Sequence, residues 1–232
     1  MNIVIINGQN HKGSTYHIGR MLAERVGGDI AEFFLPRDFS DYCVGCSQCF
    51  EVAAEKCPHY EAQQPILKAM DAADLIILTS PVCVYHASAP MKNFLDHQGH
   101  RWLVHRPKAE MFTKQAVCIS TAAGAGMKST NKDMADSLFF WGVPKIYKMG
   151  FAVRAINWNG VTDKTRVKID RQVDKVARQI RSHYGNAKPG LKTKAWFYAM
   201  RMVQSKFGWC APDVKYWNEM GWTKKVRPWK GL

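Results

Sequence analysis

The chain has 232 residues, 47% hydrophobic and 22% charged, enough to bury one substantial core and carry an appendage. It contains no apolar run of the eighteen or so residues that a membrane span needs, and Met1-Asn-Ile-Val-Ile-Ile-Asn7 lacks a basic leader, so the sequence predicts a cytoplasmic protein without a membrane segment. The net charge of +14 is concentrated late: beyond Gly185 ten Lys/Arg stand against Asp213 and Glu219, an excess that suits a solvated face, an anionic partner or nucleic acid.

Apolar runs and helical patterns alternate from the first residue, the signature of βαβ units around a parallel sheet. Ile3 to Ile6 reads as a strand buried on both faces, stopping at Asn7-Gly8. Ile18, Leu22, Arg25 and Val26 fall at helical spacing and Gly27-Gly28 closes that helix. Ile30 to Leu35 predicts the second strand, and the sulfur-rich stretch after it an irregular loop. Ile66, Leu67, Met70 and Ala73 outline the next helix, and Asp74 to Ser80, closed by Pro81, is the clearest central strand. Met91, Phe94 and Leu95 mark a helix, Gln115 to Thr121 a fourth strand, and Met134, Leu138 and Trp141 the helix after it. Lys145 to Val153 is the fifth strand; Ile169, Val173, Val176 and Ile180 give a last amphipathic helix.

Five strands and five helices in alternation predict an α/β, doubly wound, five-stranded parallel sheet over residues 1–184, of the flavodoxin-like type with strand order 2-1-3-4-5. From residue 185 to 232 the pattern changes to a basic, aromatic-rich extension: one more helix through Trp196, Phe197, Met200 and Val203, then a loop rich in Trp and Lys. Five of the eight tryptophans lie there, so this helical extension is expected to pack on the domain or on a partner subunit.

In an open α/β sheet, ligands bind beyond the carboxyl ends of the strands where strand order reverses. Three loops meet that rule. Asn7 to Tyr16 supplies Gly8 and Gly13 for tight turns, with Ser14 and Thr15 at a helix N-terminus, where free amides attract phosphate; those residues suit a simple helix cap equally well. Ser80 to Pro90 has an apolar wall, a rigid proline and one aromatic, and Thr121 to Gly126 is nearly bare of side chains. Together they would hold a phosphate at one end and a planar heterocycle at the other.

Cys43, Cys46, Cys49 and Cys57 gather four of the seven cysteines within fifteen residues. In a reducing compartment such spacing suits a metal or cluster site or redox thiols better than disulfides, and zinc would more usually take two separated pairs. His97, His100 and His105 read as solvated or hydrogen-bonded histidines at a pocket rim. Arg101, Arg106 and His105 are candidates to contact a cofactor or an acidic acceptor.

The order and intervals of Asn7-Gly8 with Gly13-Ser14-Thr15, the Cys-x-Gly-Cys-x-x-Cys segment, Ser80-Pro-Val82 before Met91 to Asp96, and Ser120 to Gly126 resemble those of NAD(P)H-dependent FMN reductases, in the branch that includes the iron-sulfur flavoproteins. The resemblance spans roughly residues 1 to 184 and implies bound FMN, NAD(P)H as co-substrate and a homodimer or higher homo-oligomer. It implies Gln9, His11, Ser14, Thr15 and Tyr16 around the phosphate, with Pro81, Val82, Cys83 and Val84 along one edge of the isoalloxazine. Thr121, Ala122, Ala123, Gly124 and Gly126 would lie along another edge. Gln9 replaces a more usual serine and Cys83 a more usual tyrosine. No side chain is expected to be catalytic, because the flavin N5 carries the chemistry.

The resemblance also makes Cys43, Cys46, Cys49 and Cys57, with Pro58 after the last, candidate ligands of a 4Fe-4S cluster; many FMN reductases carry a similar segment and work with flavin alone. The leading expectation is hydride transfer to a small electron acceptor such as a quinone, nitroaromatic, azo compound or free flavin. A relay between cluster and FMN with a ferredoxin-like partner is the second. A non-enzymatic nucleic-acid-binding module is a minor third, disfavoured because the tail holds no recognisable binding motif.

Overall fold

The computed structural model describes residues 1–230. Five long strands build the sheet: β1 (Asn2–Asn7), β2 (Asp29–Phe34), β3 (Leu75–Cys83), β5 (Gln115–Ala122) and β6 (Lys145–Ala152). They run in the order β2-β1-β3-β5-β6, every neighbouring pair parallel. The sixth, β4 (His86–Ala87), is a two-residue strand returning antiparallel onto the end of β3. With β4 set aside, the order is the expected 2-1-3-4-5. The order reverses between β1 and β3, so the switch point lies beyond Asn7 and Thr79.

Side-chain alternation divides the interior. Val4, Ile6, Ile76, Leu78, Ala116 and Cys118 face one layer with α3 (Tyr60–Ala72), α4 (Ala89–His97) and α5 (Met127–Phe140). Ile3, Ile5, Leu75, Ile77, Val117 and Ile119 face the other, against α1 (Ser14–Val26) and α6 (Asp163–Ser182). Odd and even residues of each strand point to opposite faces, and both faces are covered. That explains why these strands read as unbroken apolar runs. The outer strands β2 and β6 keep charged residues such as Glu32 and Lys148, as unpaired edges require.

Two expectations are corrected, and the start of one helix is fixed. The strand at Asp74 does not close at Pro81 but continues to Cys83, because Val82 and Cys83 pair with Ala87 and His86. α3 begins at Tyr60, ahead of its internal Pro65; the buried Gln63 anchors that first turn by donating to the His59 carbonyl (3.2 Å) and accepting from Gln98 (2.7 Å). The cysteine segment is not wholly irregular: α2 (Gln48–Glu51) and a 3-10 turn at Ala54–Lys56 interrupt it.

The extension forms α7 (Leu191–Lys206) and, where a loop was expected, α8 (Ala211–Glu219). Phe197, Trp217 and Trp222 are buried together with Leu103 and Phe112 in a third apolar cluster, with Trp229 packed against it. Trp217 Nε1 donates to the His105 carbonyl at 2.6 Å and the Tyr216 hydroxyl to that of Pro107 at 2.7 Å, so these aromatics bury their rings while satisfying their polar ends. Among the described residues no helix is long and apolar enough to cross a membrane.

Candidate functional site

The three predicted loops converge on the carboxyl ends of β1, β3 and β5. Asn7, fully buried, ties the strand ends: its side chain donates to the Phe33 carbonyl (3.2 Å) and accepts from Thr79 Oγ1 (2.9 Å). The Gly8 amide donates to the Thr79 carbonyl (2.7 Å), and Ser88 Oγ donates to the Gly8 carbonyl (2.5 Å). A Cβ on Gly8 would lie 2.8 Å from that hydroxyl. Only glycine lets the first two loops approach this closely.

Helix α1 opens on Gly13 with no side-chain cap, leaving first-turn amides free for an external anion. Ser14 and Thr15 are buried beneath it. Gln9 Nε2 donates to Thr15 Oγ1 (3.2 Å), and both Gln9 and His11 fold over Gly13, where a Cβ would lie 2.8 and 3.0 Å from their nitrogens. Lys12 sits 5.4 Å from the Tyr16 ring. Gln9, His11, Ser14, Thr15 and Tyr16 are thus gathered around one helix terminus. The lack of an internal cap fits a phosphate there better than the self-satisfied turn that the sequence left open.

On the opposite side, Val84 and Tyr85 form the two-residue loop of the β3–β4 hairpin, both left-handed with φ of 48° and 68°. Positive φ at both central residues is the pattern of a type I′ turn, which ordinarily takes Asn-Gly. Val-Tyr is a costly choice there, and both side chains project outward, Val84 94% and Tyr85 62% exposed. Cys83 is exposed too, while Pro81 and Val82 are half-buried. Tyr85 restores an aromatic two residues after the position where Cys83 had removed one.

Helix α5 holds this hairpin. Ser129 Oγ donates to the Tyr85 and Gly126 carbonyls, and Asp133 accepts from the Ala87 amide (3.0 Å) and pairs with His86 (3.1 Å). Gly126 has φ of 94°, and a Cβ there would fall 2.5 Å from Val82 Cγ1. Thr121 is buried and Ala122 half-buried, whereas Ala123 and Gly124 are open, with nothing within 4 Å of a Cβ on Gly124. Sequence reasoning missed Ser88, Ser129 and Asp133. Of these, only Ser88 carried a signal, standing before Ala89-Pro90 as a helix start.

The four cysteines of the second candidate site line one cavity of about 60 Å³ with Phe50, Pro58, His59 and His97. Cys43 and Cys46 are exposed, Cys49 and Cys57 half-buried. Burial, and then the neighbouring thiols Cys57, Cys43 and Cys46, push the Cys49 thiol above the ordinary cysteine range. Four cysteines lining one small, largely apolar space are a donor set whose chemistry fits a cluster.

His97 is not a rim residue, as the sequence reading had it. It is buried, and burial lowers its pKa. Its Nδ1 donates to the Asn93 carbonyl (2.9 Å), which leaves Nε2 to accept from His59 Nδ1 (3.1 Å). Both rings lie beside Cys57, the three ligand atoms within 4.8 Å of one another. Arg101, Arg106 and His105 are likewise engaged elsewhere: Arg101 pairs with Asp71 (2.6 Å), while His105 (2.7 Å) and Arg106 pair with Asp213.

An open α/β sheet with free helix amides on one side of its switch point and bare backbone on the other is of the mononucleotide-binding, doubly wound class. The sequence profile of the NADPH-dependent FMN reductase family matches residues 1–157. The chain belongs to that family, and so to a family of flavin-dependent oxidoreductases.

An iron-sulfur flavoprotein of Archaeoglobus fulgidus is 24% identical over 200 residues, covering 85% of this chain and 87% of that one. A flavone reductase structure superposes with a TM-score of 0.59 at 16% identity, covering 82% of this chain and 66% of its own. An NADH:FMN oxidoreductase gives 0.54 at 16% identity, covering 82% and 95%. An FMN-dependent NADH-azoreductase from Bacillus anthracis, solved with FMN, gives 0.57 at 11%, covering 77% and 99%. These likenesses show the flavodoxin-like fold.

Proposed function

We propose that the protein is an FMN-dependent oxidoreductase drawing on NAD(P)H to reduce a small acceptor such as a quinone, nitroaromatic, azo compound or free flavin. The observation that carries this is the uncapped terminus of α1 facing Gln9 and His11, in a chain of the FMN reductase family. When bound, the flavin supplies the hydride chemistry. The α1 amides, with the Ser14 and Thr15 hydroxyls, would hold its phosphate, and His11 and Lys12 add positive charge. Pro81, Val82, Cys83 and Val84 would border the ring on one side. The backbone from Thr121 to Gly126 would border it on the other, where amide dipoles favour the extra negative charge of a reduced ring. Copurified FMN, and NAD(P)H oxidation with a quinone showing ping-pong kinetics, are the expected results; a protein that neither retains nor binds FMN overturns the reading.

The presence of four cysteines in the lining of one cavity favours a second component. We read Cys43, Cys46, Cys49 and Cys57 as ligands of a 4Fe-4S cluster relaying single electrons to FMN, with a ferredoxin-like partner as donor. Anaerobically purified protein should then contain about four irons per chain and a visible shoulder that bleaches with dithionite. Cys46→Ser should lose both and keep its flavin. Unchanged iron content in that variant, or none in the wild type, leaves the flavin reaction standing alone.

A further inference from the structure

The extension reaches the cysteine centre through one buried carboxylate. Asp213, in the first turn of α8, is 1% exposed and accepts from His105 Nδ1 (2.7 Å) and from Arg106 Nη1. The same Nη1 donates to the Phe50 carbonyl at 3.2 Å, and Nη2 donates to the carbonyl of Cys49. Cys210 Sγ donates to the Phe50 carbonyl from the other side at 3.4 Å, and the Phe50 ring packs 4.7 Å from that of His105.

Helix α2 cannot fix these cysteines by itself. It is four residues long, buries no side chain and is entered through left-handed Ser47. The last carbonyls of any helix lack partners within it, and those of Cys49 and Phe50 find theirs on Arg106 and Cys210. Removing the extension would leave that guanidinium without its carboxylate, in a place where buried charge is tolerated only when paired.

We propose that Arg106 and Asp213 are positioning residues of the cysteine centre, through which the C-terminal extension holds the third cysteine and sets the electron affinity of the cluster. This rests on the reading of the four cysteines as cluster ligands. The guanidinium favours added negative charge on a centre bound by Cys49, and the carboxylate behind it opposes that effect. The two members of the pair therefore act with opposite sign.

The test uses the full-length, anaerobically reconstituted flavoprotein. Asp213→Asn should raise the one-electron equilibrium constant for cluster reduction about tenfold, and Arg106→Gln should lower it about tenfold, shifts of about 59 mV each. Arg106→Lys should recover most of the second shift, with iron content and FMN binding as in wild type throughout. A purely structural tie would move both variants in the same direction or only lower iron content, and either result overturns the electrostatic part.

A second measurement, on protein freed of iron by a chelator, reads the positioning alone. Alkylation of Cys49 should speed up about tenfold in Arg106→Gln, with exposed Cys43 unchanged as the internal reference; an unchanged rate at Cys49 overturns it. Wild-type protein without iron would refute the cluster reading, and the alkylation result would still decide whether the extension holds the loop.

Discussion

The Val84-Tyr85 turn can be tested by giving it the sequence its backbone calls for. A left-handed residue with a Cβ costs about 1–2 kcal/mol, and two such residues stand in succession. Val84→Asn with Tyr85→Gly relieves most of that. Exposures of 94% and 62% mean that little packing is lost, and the flexibility of glycine in the unfolded chain returns about 0.5–1 kcal/mol. A net gain of about 2 kcal/mol corresponds to roughly 4–8 °C in Tm for a domain of this size. Thermal unfolding of the flavin-free protein, followed by circular dichroism, measures it. The same variant loses the apolar side chains offered to the isoalloxazine, so FMN affinity from flavin fluorescence quenching should fall about tenfold, the worth of one buried aliphatic side chain. A flavin-free variant melting at or below the wild-type temperature would refute the argument that the hairpin carries backbone strain.

Gly126→Ala places a methyl 2.5 Å from Val82 Cγ1 in a left-handed residue; it should cost at least 1–2 kcal/mol in urea unfolding and lower the flavin content of purified protein. Burial, and then the charges of Arg101 and Arg106, push His100 down to about 3. Between pH 6.5 and 3 the unfolded chain binds a proton that the folded chain refuses. The resulting stability is fully present above 6.5 and falls on acidification by up to about 1.4 kcal/mol per pH unit. His100→Gln should remove that slope, so urea midpoints for wild type and variant should converge between pH 7.5 and 5.5; parallel curves would show that His100 titrates freely.

The parallel strands were legible because the central runs, β1, β3 and β5, are buried on both faces and so read as unbroken apolar stretches, each followed by a helical period. The candidate ligand loops were legible as a converging set too, since they follow strands and carry small residues near a backbone. The hairpin was not. Its turn lacks the Asn-Gly signature, and the φ values of Val84 and Tyr85 are imposed by contacts with Ser129 and Asp133 on a helix more than forty residues away. Helix α8 was obscured for a different reason. Ala211-Pro212-Asp213 is a legitimate helix start, but surrounding Trp and Lys made the stretch read as loop. His97 and Arg106 were assigned by sequence proximity to the loops after β3. Their partners, His59 and Asp213, lie 38 and 107 residues away, a distance no local pattern reports.

The clustering of tryptophans in the extension gives the molecule two optical reporters in different places. Trp217 and Trp222 are fully buried against Phe197 and Phe112, and five of the eight indoles belong to the last forty-eight residues. Intrinsic emission is therefore weighted toward the docking of α7 and α8, whereas the emission of added FMN would follow the mouth of the sheet. Recording both channels during a single denaturant ramp would time the release of the extension against the opening of the nucleotide loops, without any label.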